Sequence, residues 1–196
     1  MIKGRTIKHF LSQWVRNPRE IGAIAPSSRR LAHLITDTPV LKRARAVVEI
    51  GPGTGAFTGR ILERKHPDAL FLAVEANASF ASLLKARFAN GVQIYHDSAK
   101  NTQACLRNHG RATCDCIICG MPWGLFDECL QEDLMSAIAG VLEPGGEFST
   151  FSYLGGPWLA DGRRFKKMLP KYFSRVAVSR TVWLNLPPAF VYRCIK

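Results

Sequence analysis

A hydrophobic segment that runs directly into a glycine-rich turn constrains the fold of this chain more than any other feature. Residues 47–57 read VVEIGPGTGAF, with Gly51, Gly53 and Gly55 in the turn. Glycine allows the backbone to approach a ligand closely, and a helix that follows the turn offers N–H groups to an anionic group. The segment therefore predicts a strand, a ligand-binding turn and a helix, a unit found in parallel α/β domains.

Strand and helix patterns alternate along the chain from residue 46, which predicts a parallel sheet with helices on both faces. Short apolar segments typical of strands occur at 46–50, 70–74, 92–95, 115–119 and 147–151. Apolar residues between them recur at helical spacing in two sets, which are Phe80, Leu83, Leu84 and Phe88, and Leu130, Leu134, Ile138 and Val141. Segments 176–178 and 189–194 bring the count to seven. The expected fold class is α/β, with a Rossmann-like, seven-stranded, mostly parallel sheet.

Residues 1–45 differ in character and are expected to form a short helical extension to a domain at 46–196. A first amphipathic helix that stops at Pro18 is predicted from an apolar stripe made of Ile7, Phe10, Leu11, Trp14 and Val15. A second helix is predicted to begin near Ser27 or Ser28, because serine hydroxyls are good N-caps. This second helix carries the apolar residues Leu31, Leu34 and Ile35.

The net charge of +12 on 196 residues points to a phosphate-bearing partner, either an anionic membrane surface or nucleic acid. One basic cluster, with no acid in residues 1–19, contains Lys3, Arg5, Lys8, Arg16 and Arg19. Another contains Arg163, Arg164, Lys166, Lys167, Lys171 and Arg175. A solvated face that aids solubility is the alternative interpretation. No apolar run approaches the roughly 20 residues that span a bilayer, and no signal peptide is recognisable, so a cytoplasmic protein is expected.

The six cysteines lack the spacing of a secreted disulfide framework, so free thiols are expected. Three of them, Cys114, Cys116 and Cys119, are close enough in sequence to suggest a metal site. They fall on a predicted buried strand, where Cys116 and Cys119 face opposite sides of the sheet. No metal site is therefore expected.

Glycine spacing alone does not identify the ligand of the turn. Gly51, Gly53 and Ala56, with Glu75 farther on, also fit a relaxed dinucleotide fingerprint. Glu49 at the end of the first strand would repel a pyrophosphate but attract an ammonium group. Asp97 and Ser98 follow the third strand, where a carboxylate can accept a hydrogen bond from an adenine amino group. These acids favour S-adenosylmethionine over a dinucleotide.

Together these motifs resemble those of class I S-adenosylmethionine-dependent methyltransferases over most of the chain. The matching features are the run 49–55, Glu75, Asp97 and the turn Pro144-Gly145-Gly146 before the fifth strand. The resemblance implies that Glu75 binds the ribose hydroxyls and that Asp97 and Ser98 lie at the adenine. It also implies that the glycine loop, with Gly51, Pro52, Gly53 and Gly55, lies beneath the methionine moiety, next to the ammonium group that Glu49 is expected to attract.

The methyl acceptor is expected at the end of the fourth strand, where the loop Gly120-Met121-Pro122-Trp123 follows Cys119. A lysine-like amine with a pKa near ~10.4 is protonated at pH 7, and freeing its lone pair costs roughly 4 to 5 kcal/mol. A carboxylate would deepen this cost, whereas an apolar, aromatic pocket reduces it. The absence of an acid in residues 120–126 is therefore compatible with amine methylation, although oxygen and carbon acceptors also fit. Trp123 is expected to offer an aromatic face to the acceptor, and a tryptophan packed under the loop is the alternative interpretation.

A closer resemblance is to bacterial phospholipid N-methyltransferases, and it runs nearly end to end. It is carried by the segments Phe10-Leu11 with Trp14, Asn17-Pro18, 22–28 (GAIAPSS), 120–123 (GMPW) and 185–189 (NLPPA). It implies stepwise methylation of phosphatidylethanolamine toward phosphatidylcholine. It also implies that the N-terminal helix docks on anionic membrane and that residues 22–28, including Ser27 and Ser28, cover the cofactor. The basic amphipathic stripe is independently typical of an interfacial helix, although packing on the chain's own sheet is the alternative.

Three other interpretations remain at this stage. The 120–123 loop loosely resembles the Asn-Leu-Pro-Tyr loop of ribosomal RNA adenine N6-methyltransferases, but Gly120 stands where they carry asparagine and no helical RNA-binding domain follows. A small-molecule amine methyltransferase on the same frame is the second. A non-catalytic cofactor-binding protein is the third, and the intact set of acids argues against it. The chain is expected to act as a monomer.

Overall fold

The described part of the chain folds around one seven-stranded sheet. A computed structural model describes residues 27–158 and 160–196. The strand order is β3-β2-β1-β4-β5-β7-β6, and all strands are parallel except β7, which runs antiparallel to β5 and β6. The strands are β1 (Ala46–Ile50), β2 (Leu70–Glu75), β3 (Gln93–His96), β4 (Cys114–Cys119), β5 (Leu142–Tyr153), β6 (Arg175–Val178) and β7 (Ala189–Ile195). The predicted fold class is confirmed, and β5 is longer than the pattern predicted.

Seven α-helices of the described residues connect and cover these strands. They are α1 (Arg29–Ile35), α2 (Pro39–Arg43), α3 (Thr58–Arg64), α4 (Ala78–Arg87), α5 (Thr102–Arg107), α6 (Glu128–Val141) and α7 (Ala160–Tyr172). The prediction of a serine-capped second helix is confirmed, because the Ser28 hydroxyl accepts a hydrogen bond from the Leu31 N–H at 3.2 Å. The first predicted helix and most of the 22–28 stretch lie outside the described residues.

Two hydrophobic layers cover opposite faces of the sheet. Val47 of β1 packs with Leu31, Phe57 and Phe151 on the face covered by α1 to α3. The opposite face packs against α5, α6 and α7, with members that include Val48, Ile138, Phe148, Phe165 and Tyr192. Helices α1 and α2 therefore belong to the same core as the strands.

The three clustered cysteines divide between the two faces of the sheet, because Cys116 and Cys119 are three residues apart on β4 and the strand register shifts between Cys114 and Cys116. Cys114 and Cys119 belong to the layer of α5 to α7, and Cys116 belongs to the layer of α1 to α3. All three are free and buried. Burial raises the pKa of the Cys119 thiol to about 12, which keeps it protonated at neutral pH. The predicted opposition of Cys116 and Cys119 is confirmed.

Two sequence patterns differ from the structure in detail. Leu83 was predicted to contribute to the buried stripe of α4, but it is 45% exposed. The reason is that α4 buries a narrower stripe, formed by Ala81 and Leu84. The second basic run is partly neutralised on α7, where Arg164 pairs with Asp161 and Lys171 with Glu132. This cluster therefore contributes less net positive charge to the surface than its composition suggests.

Candidate active site

The polar residues singled out in the sequence meet along the carboxyl edge of the sheet. Glu49 lies at the end of β1, Glu75 ends β2, Asp97 follows β3 and Gly120 follows β4. The strand order reverses between β1 and β4, and the carboxyl edge at such a switch point is where α/β sheets open a crevice. Neighbouring strands lie ~4.8 Å apart, so the residues at the ends of these four strands form a row about as long as a small cofactor. The sheet therefore assembles the predicted site.

The glycine turn and the acceptor loop are in direct backbone contact at this switch point. The Gly120 N–H donates to the Ile50 carbonyl at 2.8 Å. A Cβ atom at Gly120 would lie 2.5 Å from the Gly51 carbonyl oxygen, and one at Gly51 would lie 2.9 Å from Cγ of Met121. Gly51 also has a φ of +66°, which disfavours other residues. Both positions therefore require glycine so that the loops can pass each other.

Glu49 is fully buried and has one carboxylate oxygen without a partner. Its Oε2 accepts a hydrogen bond from the Thr58 hydroxyl at 2.7 Å, whereas Oε1 has no hydrogen-bond partner. Burial raises the pKa of Glu49 to about 8, with a smaller contribution from the nearby Glu75, and the Thr58 hydrogen bond opposes the rise. An unpartnered buried oxygen is costly unless a ligand completes it. A cation or N–H donor such as an ammonium group would do so.

Glu75 connects the glycine turn to the end of β2. Its Oε2 accepts from the Gly53 N–H and its Oε1 from the Asn77 N–H, both at 2.9 Å. Burial raises the pKa of this carboxyl, and the backbone hydrogen bonds oppose the rise. A carboxylate oxygen accepts about two hydrogen bonds. Each oxygen of Glu75 therefore keeps capacity for one further donor, as two neighbouring hydroxyl groups would provide.

Asp97 is fixed at the mouth of the crevice. Its Oδ1 accepts from the Ser98 N–H and from the Asn101 side-chain amide, both at 2.7 Å. The Asp97 N–H donates to the Glu75 carbonyl at 3.0 Å. Asp97 is half-buried and Ser98 is exposed. The backbone bond therefore keeps Asp97 in register with Glu75, as expected for residues that contact one ligand.

Trp123 lies beneath the acceptor loop rather than at its surface. Only 2% of the residue is exposed, and its ring stacks on Phe165 with centroids 4.6 Å apart. The indole N–H donates to the Thr150 hydroxyl at 3.1 Å, and that hydroxyl donates to the Cys119 carbonyl. The structure therefore presents no Trp123 face to an acceptor, which corrects that expectation. The ring holds the loop from below, while Met121 and Pro122 remain partly exposed.

Gln131 of α6 is a second anchor of the same loop. Its side-chain N–H group donates to the carbonyls of Trp123, Phe126 and Asp161 at 2.8, 3.1 and 3.1 Å. The residue is completely buried. The role of Gln131 was not predicted from the sequence, although a polar residue within the apolar stripe of α6 was a usable signal. The role of Thr58 was not predicted either. Unlike Gln131 it offered no signal, because nothing in the 47–57 segment indicates that Glu49 needs a hydroxyl partner.

The Ser27–Ser28 stretch lies beside the β6–β7 connection. The Ser28 N–H donates to Oδ1 of Asn185 at 2.9 Å, and its hydroxyl caps α1. Asn185 is buried, and its amide donates to the Pro187 carbonyl at 2.7 Å. The predicted contact of Ser27 and Ser28 with a cofactor stays a prediction, because the residues before them lie outside the description.

The described residues fit an adenosyl sulfonium donor with an amino acid end better than a dinucleotide. The unpartnered buried oxygen of Glu49 at the end of β1 suits an ammonium group, because a cation beside it favours the ionised carboxylate, whereas a pyrophosphate would disfavour that form. Within residues 27–158 and 160–196, no cluster of three or more His, Cys, Asp or Glu side chains could hold a metal ion.

Comparison with known families agrees with this geometry. A family model described as a methyltransferase domain matches residues 47–146, which contain the glycine turn, the acids and the acceptor loop. The matched residues make up just over half of the chain.

One relative is similar over nearly the whole chain. The ornithine lipid N-methyltransferase of Singulisphaera acidiphila is 31% identical over 187 residues, which cover 94% of this chain and 93% of the relative.

Solved structures share the fold. An O-methyltransferase from Bacillus cereus, in complex with SAH, superposes with a TM-score of 0.67 at 15% identity, covering 99% of this chain and 92% of that one. The O-methyltransferase TomG from Streptomyces achromogenes, in complex with SAM, gives a TM-score of 0.65 at 22% identity, covering 95% and 89%. At these identities the likeness shows the fold alone.

Proposed function

The chain belongs to the class I S-adenosylmethionine-dependent methyltransferases, and on this premise we propose that it methylates the amine of a membrane lipid headgroup. Within that class of acceptor, phosphatidylethanolamine is the specific substrate proposed, with stepwise methylation toward phosphatidylcholine. S-adenosylmethionine is the cofactor, and when bound it supplies an electrophilic methyl group.

The acids of the carboxyl edge are proposed to hold the cofactor. Oε1 of Glu49 accepts from its ammonium group, the free capacity of Glu75 takes the two ribose hydroxyls, and Asp97 takes the adenine amino group. The order of these groups along β1, β2 and β3 supports the assignment, since it matches the order of the three parts of the cofactor. The turn glycines allow the backbone to approach without a Cβ.

The acceptor side is proposed to favour the neutral form of an amine. Residues 120–126 contain no acid, and Met121, Pro122 and the 46% exposed Leu125 give the loop an apolar surface. The amine must release its proton before its lone pair can accept the methyl group, and low polarity favours that release.

One observation carries the proposal. The proposed cofactor side is lined by acids, and it is in backbone contact with an acceptor loop that contains no acid. The full-length similarity to an ornithine lipid N-methyltransferase supports a lipid amine as the acceptor. That relative also makes ornithine lipid the second candidate substrate, because it too carries an amine on a headgroup. Among the described residues no helix has the length and apolar character needed to cross a bilayer, so contact with lipid is proposed to be peripheral.

The structure weakens the RNA adenine interpretation at one position. An asparagine in place of Gly120 would place its Cβ 2.5 Å from the Gly51 carbonyl oxygen, which is closer than such contacts occur. The acceptor loop therefore has no room for the side chain expected to grip a base amine.

Methylation of separate lipids tests the proposal. The protein is incubated with S-adenosylmethionine and either phosphatidylethanolamine or ornithine lipid in detergent micelles, and the lipids are analysed by mass spectrometry. We expect products heavier by one or more methyl groups with phosphatidylethanolamine. Methylation of ornithine lipid alone would change the specific substrate, and failure with both lipids, while free amines are methylated, would refute the lipid assignment.

A further inference from the structure

The β6–β7 connection, residues 179–188, exposes large apolar side chains at the carboxyl edge of the sheet. Trp183, Leu184 and Leu186 are 70%, 65% and 78% exposed. Isolated exposed apolar residues are ordinary, but three within four positions form a patch of the kind that marks an interaction site.

The backbone under this patch is held in place by hydrogen bonds. Asn185, between two exposed leucines, is only 3% exposed. Its side chain accepts from the Ser28 N–H and donates to the Pro187 carbonyl, and the Val182 N–H donates to the Ala189 carbonyl at 2.6 Å. The fold therefore fixes the loop so that its apolar side chains point away from the core.

A basic groove borders the patch. It has a volume of about 710 Å³, and its lining includes Arg29, Arg30, Arg60, Arg180, Trp183 and Leu184. Arg60 pairs with Glu63, whereas none of the ion pairs within residues 27–158 and 160–196 involves Arg29, Arg30 or Arg180. Asp37 also lines the groove but is paired with Arg64, and residues 179–188 contain no acid. The arginines therefore leave positive charge beside the exposed apolar side chains.

The position of the patch connects it to the active site. Because β6 is parallel to β5, the connection that leaves β6 emerges at the same edge as the glycine turn and the acceptor loop. Arg60 belongs to the first turn of α3, directly after the glycine turn. None of the lining residues of the groove belongs to the glycine turn or to the 120–123 loop. The patch and groove are thus a surface separate from the two loops, at the same edge of the sheet.

We infer that residues 180–186, with Arg29 and Arg30, form a membrane-docking surface whose apolar side chains insert into an anionic bilayer while the arginines contact lipid phosphates. Trp and Leu side chains flanked by arginine are typical of interfacial insertion. RNA is the less suitable partner, because the two exposed leucines offer no stacking surface for bases and Trp183 alone of the three apolar side chains could stack on one. The inference rests on the proposed function, since it deepens how a lipid acceptor reaches the crevice.

Vesicle sedimentation of the full chain tests the inference. The vesicles contain phosphatidylcholine with or without phosphatidylglycerol. We expect the triple variant Trp183→Ser/Leu184→Ser/Leu186→Ser to lose roughly tenfold or more of its partitioning onto anionic vesicles. The triple variant Arg29→Gln/Arg30→Gln/Arg180→Gln should lose binding severalfold and lose its preference for phosphatidylglycerol. Equal sedimentation of the wild type and the apolar variant would overturn the inference.

Matched control variants test whether loss of vesicle binding is specific to this surface or follows from removing any exposed leucine or any set of cations. Leu83→Ser removes an exposed leucine from α4, and Lys42→Gln/Lys85→Gln/Arg107→Gln removes three cations from other helices. Both controls should sediment as the wild type does, and circular dichroism melts of all variants verify folding. A control that loses as much binding as the matching variant would also contradict the inference.

The outcomes distinguish this inference from the proposed function. A docking variant that still methylates lipid in detergent micelles but not in vesicles supports both. A wild-type chain that binds vesicles yet methylates no lipid amine in either form refutes the function and leaves the surface standing. If the wild-type protein binds structured RNA but not vesicles, and the arginine variant loses the RNA binding, the partner is RNA rather than a membrane. That result would overturn the inference.

Discussion

The two sides of the carboxyl edge are built in opposite ways. On the β1–β2 side, buried carboxylates stand at strand ends, and one oxygen of Glu49 lacks a partner. On the β4–β5 side, Trp123 is stacked and hydrogen-bonded inside an aromatic cluster with Phe148 and Phe165. On the first side the strand-end acids keep hydrogen-bonding capacity for a ligand. On the second side the Trp123 ring and the side-chain nitrogen of Gln131 hold the loop, although the buried Oε1 of Gln131 also lacks a hydrogen-bond partner. The comparison indicates that mutations on the first side should affect ligand affinity, and mutations on the second should affect stability.

Replacing Trp123 should have the largest effect on stability. Trp123→Ala removes a buried ring together with its hydrogen bond to Thr150, so we expect a loss of about 3 to 5 kcal/mol in the free energy of unfolding. Urea denaturation measures this loss. Trp158→Ala is the matched control, because its ring is 76% exposed and its removal should change stability by about 0.5 kcal/mol or less. If the Trp123 variant keeps its stability but loses turnover, Trp123 contacts the acceptor, and the structural role assigned to it here is contradicted.

Glu49 should make the stability of the free protein depend on pH. Its pKa rises from 4.5 to about 8 on burial, so between these values the folded state binds more protons than the unfolded state. The resulting stabilisation is complete below pH 4.5 and is lost as pH rises through about 8, on the order of a few kcal/mol. Glu49→Gln should remove this dependence, so the difference in unfolding free energy between wild type and variant should change with pH. A constant difference across this range would contradict the assignment.

Among the acids on the β1–β2 side, Glu75 should contribute most to the free energy of S-adenosylmethionine binding. We expect Glu75→Gln to weaken S-adenosylmethionine binding by about tenfold to a hundredfold, because it removes a buried charged acceptor. Isothermal titration calorimetry measures the change, and a thermal melt verifies that the variant is folded. Affinity equal to that of the wild type would show that the row of acids is not the cofactor site.

Asp97 should show the smallest effect of the acids. Because it is partly accessible to solvent, Asp97→Asn is expected to weaken cofactor binding by about tenfold or less. Asp68→Asn, at an exposed carboxylate after α3, is the control and should leave affinity unchanged. A larger loss at Asp97 than at Glu75 would reverse the order of importance along the edge.

The sequence predicted the placement of the strand-end acids better than the placement of Trp123. The glycine spacing and the acids at strand ends depend on local backbone geometry, so residues 47–57 and Glu75 could be assigned from their pattern. The burial of Trp123 depends on Phe165 of α7 and Thr150 of β5, which are distant in sequence. Loop composition alone could not show whether the ring faces a ligand or the core.

The glycine at position 120 illustrates the same limit. The sequence shows that Gly120 stands in place of an asparagine, but it does not show why a side chain is excluded there. In the structure a Cβ at position 120 would lie 2.5 Å from the Gly51 carbonyl oxygen. Likewise, the exposure of Trp183, Leu184 and Leu186 follows from the hydrogen bonds of the buried Asn185, and nothing in the NLPPA segment indicates them.

A competition for labelled methyl groups tests the central claim most directly. One vessel contains the protein, methyl-labelled S-adenosylmethionine, phosphatidylethanolamine in anionic vesicles, structured RNA and free ethanolamine, and the label in each fraction is counted. The account predicts that the label enters the lipid fraction and that its entry falls with Glu75→Gln. Label in the RNA or in free ethanolamine, with none in the lipid, would contradict it.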